Sequence, residues 1–530
     1  MHSLNKCLDT LYNRRYEILL LAYTILALFF CSSSSPLYVI NDWTDANTYF
    51  TMGKGIVHGM VPYRDLFDHK GPLLYFIYAV GYLMSPTSFI GVFVLQIISM
   101  YIALLFLYKT ARLLLDSSPR AFFSSILVTF FILGAGVYYL PEQLDMGGGS
   151  PEEFSLPFLT VSLYLITRDA KRKTVSRFGL FVMGILMGSV CLIKFNLAVF
   201  WVGLLVPVFL SLLFQKKVRL FFQAAACMVL GILVVALPYL AYALATDSLS
   251  SFIEAYISFN KLYSFNEHSL SVRIMQSLGR SQNFLFSSFI IGFTFIGGFL
   301  YVLFFLKSYS LAYRASICLS FLALILIVFY GKAYAYSHLP FLIFAVFGFV
   351  ALFRLFPEST LPKAMNRLKP CLPALLAACI LLVVVNNSRM FITKDKNKPG
   401  RTITTCQSEV AALVRSGPEE KPTLLELDML SRGFYTVLDI VPPRKYFYKP
   451  NIPYEDYPDV LDSQLAYVQE KAADYVVFFA GKEPVNATTL RPDTPRDRIL
   501  SAVLDGYSLV GIVEGTGSVD GGYFHVYHKQ

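Results

Sequence analysis

The run LLYFIYAVGYLM at Leu73–Met84 decides how the rest of the chain is read. It is apolar throughout and follows the charged, turn-rich stretch Tyr63-Arg64-Asp65-Leu66-Phe67-Asp68-His69-Lys70-Gly71-Pro72. It falls well short of the roughly 20 residues that a helix needs to cross a bilayer. Counted as a crossing, it would put the basic cluster Arg168/Lys171/Arg172/Lys173/Arg177 on the outer side. Read as a helix lying at the interface, it leaves that cluster inside, where short loops rich in Lys and Arg belong. The interfacial reading is the one the charges support.

Working outward from this run, eleven longer apolar stretches are expected to cross. They lie near 16–34, 88–108, 120–140, 153–167, 178–193, 196–214, 219–245, 282–306, 315–330, 338–356 and 370–388. Arg14 and Arg15 before an apolar stretch ending in Ser32–Ser35 would also suit a signal peptide. An uncleaved first span is expected instead, because ten more spans follow. With the N-terminus inside, the inner connections collect twenty basic residues, among them Lys109, Arg112, Arg120, Lys216, Lys217, Arg219, Arg354 and Lys369. The outer ones hold eight: Lys54, Arg64, Lys70, Lys194, Lys261, Arg273, Arg280 and Lys332.

Composition agrees. Of 530 residues, 55% are apolar and 15% charged, and the mean hydropathy is +0.56. Soluble domains carry about 25% charged residues, so a disordered chain is excluded and a soluble enzyme disfavoured. The net charge of +10 is an orientation signal, and no nucleic-acid partner is expected. The eight cysteines are scattered and show no metal-ligand spacing; Cys406 stands alone in the C-terminal region, so no disulfide can form within that region.

Residues 1–389 therefore read as a membrane domain and 390–530 as a small α/β domain outside the membrane. Leu424–Leu430 and Asp474–Ala480 read as buried strands, Glu409–Arg415 and Gln464–Lys471 as helices. Ser508–Glu514 and Tyr523–His528 alternate around the Gly-rich turn Gly515–Gly522, which predicts a hairpin. The run Gly147-Gly148-Gly149 lacks the spacing of a nucleotide fingerprint.

Ionisable residues pressed against a membrane are costly and are functional candidates by default. Four connections assigned to the outer side carry them: Asn41–Phe50 with Asp45 and Gly59–Pro72 in the first, Pro141–Phe154 with Glu152 and Glu153, Lys194-Phe195-Asn196, and Gly331–His338 with Lys332 and His338. The side assignment came from basic residues alone, so their co-location is independent support.

These motifs resemble the GT-C superfamily of integral-membrane glycosyltransferases, in particular the branch of protein O-mannosyltransferases and lipid A aminoarabinose transferases. The resemblance covers roughly residues 16–390. It rests on an acidic residue soon after the first span (Asp45) and the G-x-x-P-Y-x-D…K-G-P-L run from Gly59 to Leu73. P-E-E-F-x-L-P-F at Pro151–Phe158 and Y-x-H at Tyr336–His338 complete it. Many relatives carry a D-E pair in the first loop, where this chain has Asp45-Ala46. The resemblance implies a GT-C-like α-helical polytopic membrane protein with about eleven transmembrane helices. It also implies a hexosyl- or pentosyltransferase whose sugar arrives on a polyprenyl-phosphate donor and leaves for an envelope acceptor at the outer face. Physical reasoning agrees: the outer face has no nucleotide sugars, so an activated sugar there must travel on a lipid. The expected location is the cell membrane, with the N-terminus cytoplasmic and the C-terminal domain extracytoplasmic.

For such a transfer, Asp45 is the candidate base; an Asp at a helix start also suits an N-cap. Glu152 and Glu153 are candidates for positioning the acceptor or orienting Asp45, and equally suit compensation of a helix dipole. Lys70, His69, Lys332 and His338 are candidates for holding the donor phosphate, with snorkelling at a helix end as the plain alternative for the lysines. Tyr63, Arg64, Asp65, Asp68 and Lys194 complete the site loops; Asp65 and Asp68 equally suit ion pairs with Arg64 and Lys70 that fold the loop. Asp45, Asp68, Glu152 and Glu153 offer oxygen ligands to a divalent cation such as Mg or Mn, without a spacing that defines a set. A transporter or flippase for a lipid-linked saccharide is the competing class, and a silent scaffold displaying the C-terminal domain is the third. Transporters show broken helices with charge at mid-membrane and paired halves, and this sequence shows charges at one surface and no visible symmetry.

Overall fold

The structure is a computed structural model that describes residues 14–133, 148–265, 269–330, 334–355, 371–386, 405–491, 493–515 and 522–530. Each apolar stretch of the sequence is helical where it is described. In chain order these begin with α1 (Arg15–Cys31), α2 (Thr44–Val57), α3 (Pro72–Met84), α4 (Ile90–Leu114), α5 (Ser118–Ile126), α6 (Thr129–Ile132) and α7 (Pro151–Arg172). They continue with α8 (Arg177–Lys194), α9 (Val199–Phe214), α10 (Val218–Ala245), α11 (Leu249–Phe252), α12 (Phe259–Phe265), α13 (Leu270–Leu285) and α14 (Phe289–Leu300). The helical part ends with α15 (Leu311–Tyr330), α16 (Leu339–Leu342), α17 (Ala345–Leu355) and α18 (Leu372–Asn386).

Four of the helical segments are long and apolar enough to cross a membrane: Ile90–Leu114, Arg177–Phe214, Val218–Ala245 and Leu311–Tyr330. Two bent pairs, Leu270–Leu285 with Phe289–Phe305 and Tyr336–Leu342 with Ala345–Leu355, bring the number to six. The burial pattern is that of a membrane protein. Helix α13 buries Ser277, Ser281 and Phe284 and turns Leu270, Val272, Ile274, Met275 and Leu278 outward; the Ser277 hydroxyl donates to the Leu326 carbonyl at 2.6 Å. Serines inside and leucines outside suit lipid, which gives apolar side chains no reason to hide and small polar ones every reason to pair. Together the helices make the chain a multi-pass membrane protein.

Two elements differ from the sequence reading. The first outer loop is not all loop: Thr44–Val57 is a helix with ten buried residues, and Gly53 lets it cross α3 so closely that a Cβ there would stand 2.5 Å from the Ala79 nitrogen. The N-cap alternative at Asp45 allows for a helix here; its polar composition, with Asn47, Thr48, Thr51 and Lys54 all buried, conceals its extent from a search for apolar periodicity. The apolar stretch near 282–306 is also not one element. The chain bends by 110° after Leu285, where Ser288 caps the next helix by accepting from the Ile291 amide at 3.2 Å. The run Leu73–Met84 is a helix as expected; Pro72 opens α3, and Pro is pre-organised for a first turn.

The C-terminal region contains α19 (Cys406–Arg415), β1 (Leu424–Glu426), α20 (Phe434–Leu438), α21 (Asp459–Gln469), β2 (Tyr475–Ala480), α22 (Pro495–Gly506), β3 (Tyr507–Glu514) and β4 (Tyr523–Lys529). The sheet order is β1-β2-β4-β3, with β1 parallel to β2 and the other pairs antiparallel. The expected hairpin is β3–β4. Alternation sorts β2 between two cores: Val476 and Phe478 face Leu461, Val468, Ile499 and Val503 of α21 and α22, while Tyr475 and Val477 join Val410, Val414 and Phe524 on the α19 side. Strand β1 is shorter than the predicted Leu424–Leu430, because Asp428 turns left-handed (φ 49°) to meet Lys449 at 2.9 Å and Arg496 at 2.5 Å. The predicted helices extend N-terminally, to Cys406 and to Asp459.

Glu426, on β1, is fully buried, and burial pushes its carboxyl up to about 8 despite a hydrogen bond from the Arg432 amide at 3.1 Å. The sign follows from linkage: below the ordinary value of 4.5 both folded and unfolded chains hold the proton, and between there and about 8 only the folded chain does. Stability therefore falls as pH rises through that window and levels off above it. Glu426→Gln removes the dependence, so the melting temperature of the variant relative to wild type should rise from pH 5 to pH 8; a constant difference across that range would contradict the assignment.

Candidate active site

The first loop is built around Asn41 and Asn47. Asn41 Oδ1 accepts from the Trp43 amide at 3.0 Å, and Asn47 Nδ2 donates to the Asn41 and Trp43 carbonyls at 2.8 and 3.0 Å. Trp43 takes the N-cap position of α2, so Asp45 stands inside the first turn and is not the cap. Half-buried, it accepts with Oδ2 from the hydroxyls of Tyr49 (3.3 Å) and Tyr336 (3.2 Å). The Tyr of the Y-x-H motif thus reaches the carboxylate.

The charged loop turns back through Tyr63, left-handed at φ 68°, whose hydroxyl donates to the Lys70 carbonyl at 2.7 Å. Arg64 grips Asp65 with two hydrogen bonds of 2.8 and 2.9 Å and donates to the Thr246 carbonyl at 2.7 Å. Asp65 also accepts from the Val61 amide at 2.7 Å, so this pair folds the loop. Asp68 is buried, and both its oxygens are engaged: Oδ1 accepts from Tyr448 and Oδ2 from Tyr75, each at 2.8 Å. Nδ1 of His69 lies 3.2 Å from Oδ1, off the line a hydrogen bond needs. Nε2 of His69 is 2.6 Å from Lys70 Nζ. An ammonium has only donors, so the His69 nitrogen accepts and its proton sits on Nδ1, facing Asp68.

Electrostatics fit this reading. Burial pushes the Asp68 carboxyl up, but His69, Lys70 and the Tyr448 hydroxyl outweigh it and hold it well below the usual carboxylate range. Burial, then the Lys70 charge, lowers His69 and keeps it neutral at pH 7. Burial and the Lys194 charge lower Lys70, opposed by the carboxylates of Asp45, Asp68 and Glu152. Lys70 thus lies within the field of three acids and a second lysine.

Helix α7 begins with a capping box: Ser150 Oγ accepts from the Glu153 amide at 3.1 Å, and Glu153 Oε2 accepts from the amides of Gly149 and Ser150 and from Gln96. That work occupies Glu153 at the helix end. It leaves Glu152 fully buried and ion-paired with Lys194, its second oxygen without a hydrogen-bond partner among the described residues. Lys194 sits at extended backbone (φ −155°, ψ 95°) where α8 gives way to the 3-10 turn Phe195–Ala198. Gly71 packs against that helix end: its amide donates to the Ile193 carbonyl at 3.0 Å, and a Cβ would stand 2.3 Å from the Leu192 oxygen. This contact brings Lys70 beside Lys194.

The structure therefore gathers Asp45, Asp68, His69, Lys70, Glu152 and Lys194. The ring of His338 packs among phenylalanines, its centroid 4.7 Å from Phe329, 5.7 Å from Phe341 and 6.0 Å from Phe284. Lys332 lies outside the described residues. No three His, Cys, Asp or Glu side chains among the described residues form a group that could hold a metal ion. Asp68 is engaged by tyrosines, Glu153 by the cap and one oxygen of Glu152 by Lys194. The sequence reading missed Tyr75, Tyr336, Tyr448 and Lys54. Tyr336 was visible as part of a motif; Tyr448 carries no signal, since 380 residues separate it from Asp68.

Residues 8–355 match the family model described as "Putative competence-induced protein Ccs4 N-terminal domain". The chain belongs to this family. No curated protein matches the sequence. Among solved structures, this Ccs4-family chain is similar to ArnT from Cupriavidus metallidurans bound to undecaprenyl phosphate. The TM-score is 0.61 at 13% identity, over 97% of this chain and 98% of that one. The same protein in the apo state aligns with a TM-score of 0.56 at 12% identity, over 98% of each chain. Arabinofuranosyltransferase AftD from Mycobacteria aligns with a TM-score of 0.52 at 12% identity, over 97% of this chain and 41% of that one. Both relatives are GT-C glycosyltransferases, and the expected likeness to that superfamily is borne out in the fold.

The Glu152–Lys194 pair gives a direct check. Breaking one side of a buried pair costs about 3–5 kcal/mol, because the other charge stays buried alone. Lys194→Met should lower stability by about 3 kcal/mol, the low end of that range, since Lys194 is partly exposed. Adding Glu152→Gln should recover most of it, as read by thermal unfolding in detergent.

Proposed function

We propose that the chain transfers a sugar, hexose or pentose, from a polyprenyl-phosphate donor to a cell-envelope acceptor at the outer face of the membrane. The observation that carries the reading is Asp45 held by Tyr49 and Tyr336 within the field of Lys70, in a fold shared with ArnT bound to undecaprenyl phosphate. Asp45 takes the proton of the acceptor hydroxyl. The acceptor oxygen bonds to the anomeric carbon as the bond from that carbon to the phosphate oxygen breaks, and the electron pair leaves on polyprenyl phosphate. Lys70, steadied by neutral His69, meets the departing charge; Lys194, paired with Glu152, adds positive potential. No step is routed through a metal.

Asp45→Asn keeps size and polarity but removes the basic carboxylate. General bases contribute about 10²–10⁴-fold, so release of polyprenyl phosphate from a labelled polyprenyl-phosphate sugar, in membranes supplying the acceptor, should fall by about that factor at normal expression. Release unchanged in the variant would remove Asp45 as base. A wild-type protein that moves the intact lipid between leaflets and leaves the sugar on it would establish a flippase instead.

The reading requires the site to face outward. Eleven spans, with residues 390–530 as an extracytoplasmic domain, satisfy that and leave the Lys171 cluster inside. Cysteines introduced near Lys171 and near Asn451, in a chain without its native cysteines, should react with an impermeant reagent in intact cells only at the second site. Outside labelling near Lys171 would overturn the topology.

A further inference from the structure

The C-terminal region reaches into the charged loop. Tyr448 lies between α20 and α21, is buried, and donates to Asp68 Oδ1 at 2.8 Å. The other oxygen of Asp68 takes the Tyr75 hydroxyl, which also accepts from the Lys70 amide at 2.9 Å. Two hydroxyls, one from α3 and one from the C-terminal region, hold one carboxylate oxygen each. The held carboxylate attracts the Nδ1 side of the His69 ring from 3.2 Å, and Nε2 of that ring meets Lys70 Nζ at 2.6 Å. Neighbouring contacts hold the backbone regardless of Tyr448: Phe67 donates its amide to the Lys445 carbonyl at 3.0 Å and stacks on Tyr457, whose hydroxyl donates to Glu254 at 2.7 Å. The Tyr448 hydroxyl therefore adds direction to a seam that is already closed.

We propose that Tyr448 is a positioning residue of the transfer site, holding Asp68 so that His69 aims the Lys70 ammonium at the donor phosphate. The C-terminal region is then a working part of the transferase and not a displayed module. The inference rests on the transfer reading above for its purpose, and on the Tyr448–Asp68–His69–Lys70 chain for its geometry.

The test uses the full chain purified in detergent, comparing wild type, Tyr448→Phe and Tyr457→Phe. Both variants keep their rings and each loses one hydroxyl at the same seam. A charge-assisted hydrogen bond that orients an ion is worth roughly a factor of ten. Tyr448→Phe should lower kcat/KM for a polyprenyl-phosphate sugar by about that factor. It should also speed acylation of Lys70, read by peptide mass spectrometry, several-fold without any donor present. Tyr457→Phe should lower thermal stability comparably and change neither readout. In an Asp68→Asn background, Tyr448→Phe should add nothing, because both act on one path. Wild-type kcat/KM and wild-type Lys70 reactivity in Tyr448→Phe, or both effects reproduced by Tyr457→Phe, would overturn the proposal. If the wild-type protein consumes no donor, the transfer reading fails by itself, and the donor-free reactivity of Lys70 still decides the positioning.

Discussion

A charge taken out of water costs several kcal/mol unless it is paired, and this chain buries several at one level. Asp68 meets Tyr75 and Tyr448, Glu152 meets Lys194, and Lys54 meets Asp439 at 2.9 Å and the Tyr435 carbonyl at 2.8 Å. In each case the partner comes from another part of the chain. The pairing requirement therefore stitches α2, α3, α7, α8 and the C-terminal region together at a single charged layer. Between the apolar helices the pairs are neutral, such as Tyr23 with Thr129 and Trp201 with Ser162.

That layer explains why the site can be both rigid and charged. Asp45 stands in the first turn of α2, whose end is fixed by Asn41 and Asn47. Glu152 stands in the first turn of α7, whose end is fixed by Ser150, Glu153 and Gln96. Helix ends and tyrosine hydroxyls hold the groups apart and oriented. Aromatic contacts reinforce the layer: Trp43 packs edge-on against Tyr336 at 5.1 Å, and Tyr336 stacks on Tyr334 at 5.5 Å. Preorganised dipoles of this kind suit a reaction in which charge moves from one oxygen to another.

The division between neighbours in sequence shows how local reading succeeds and fails. Glu152 and Glu153 are adjacent and chemically equivalent, yet one caps a helix and the other meets a lysine 42 residues away. The S-x-x-E spacing from Ser150 to Glu153 is a local signal of the cap; nothing local points Glu152 toward Lys194. Likewise, Tyr336 and His338 share one motif, but a 3-10 turn at Ala335–His338 sends the tyrosine to Asp45 and the histidine among phenylalanines.

The sequence by itself determined the helical membrane character, the helix Pro72–Met84, the β3–β4 hairpin and the loops from which Asp45, Lys70 and Glu152 come. Those follow from local quantities: run length, alternation, turn residues and the solvation cost of charge. Only the tertiary structure decided that Thr44–Val57 is a helix, because its buried side chains are polar and are satisfied by partners far along the chain. Only the tertiary structure joined Tyr448 to Asp68 and Asp439 to Lys54. A hydrogen bond between residues hundreds of positions apart depends on how two surfaces meet, and neither surface records the other in its own pattern.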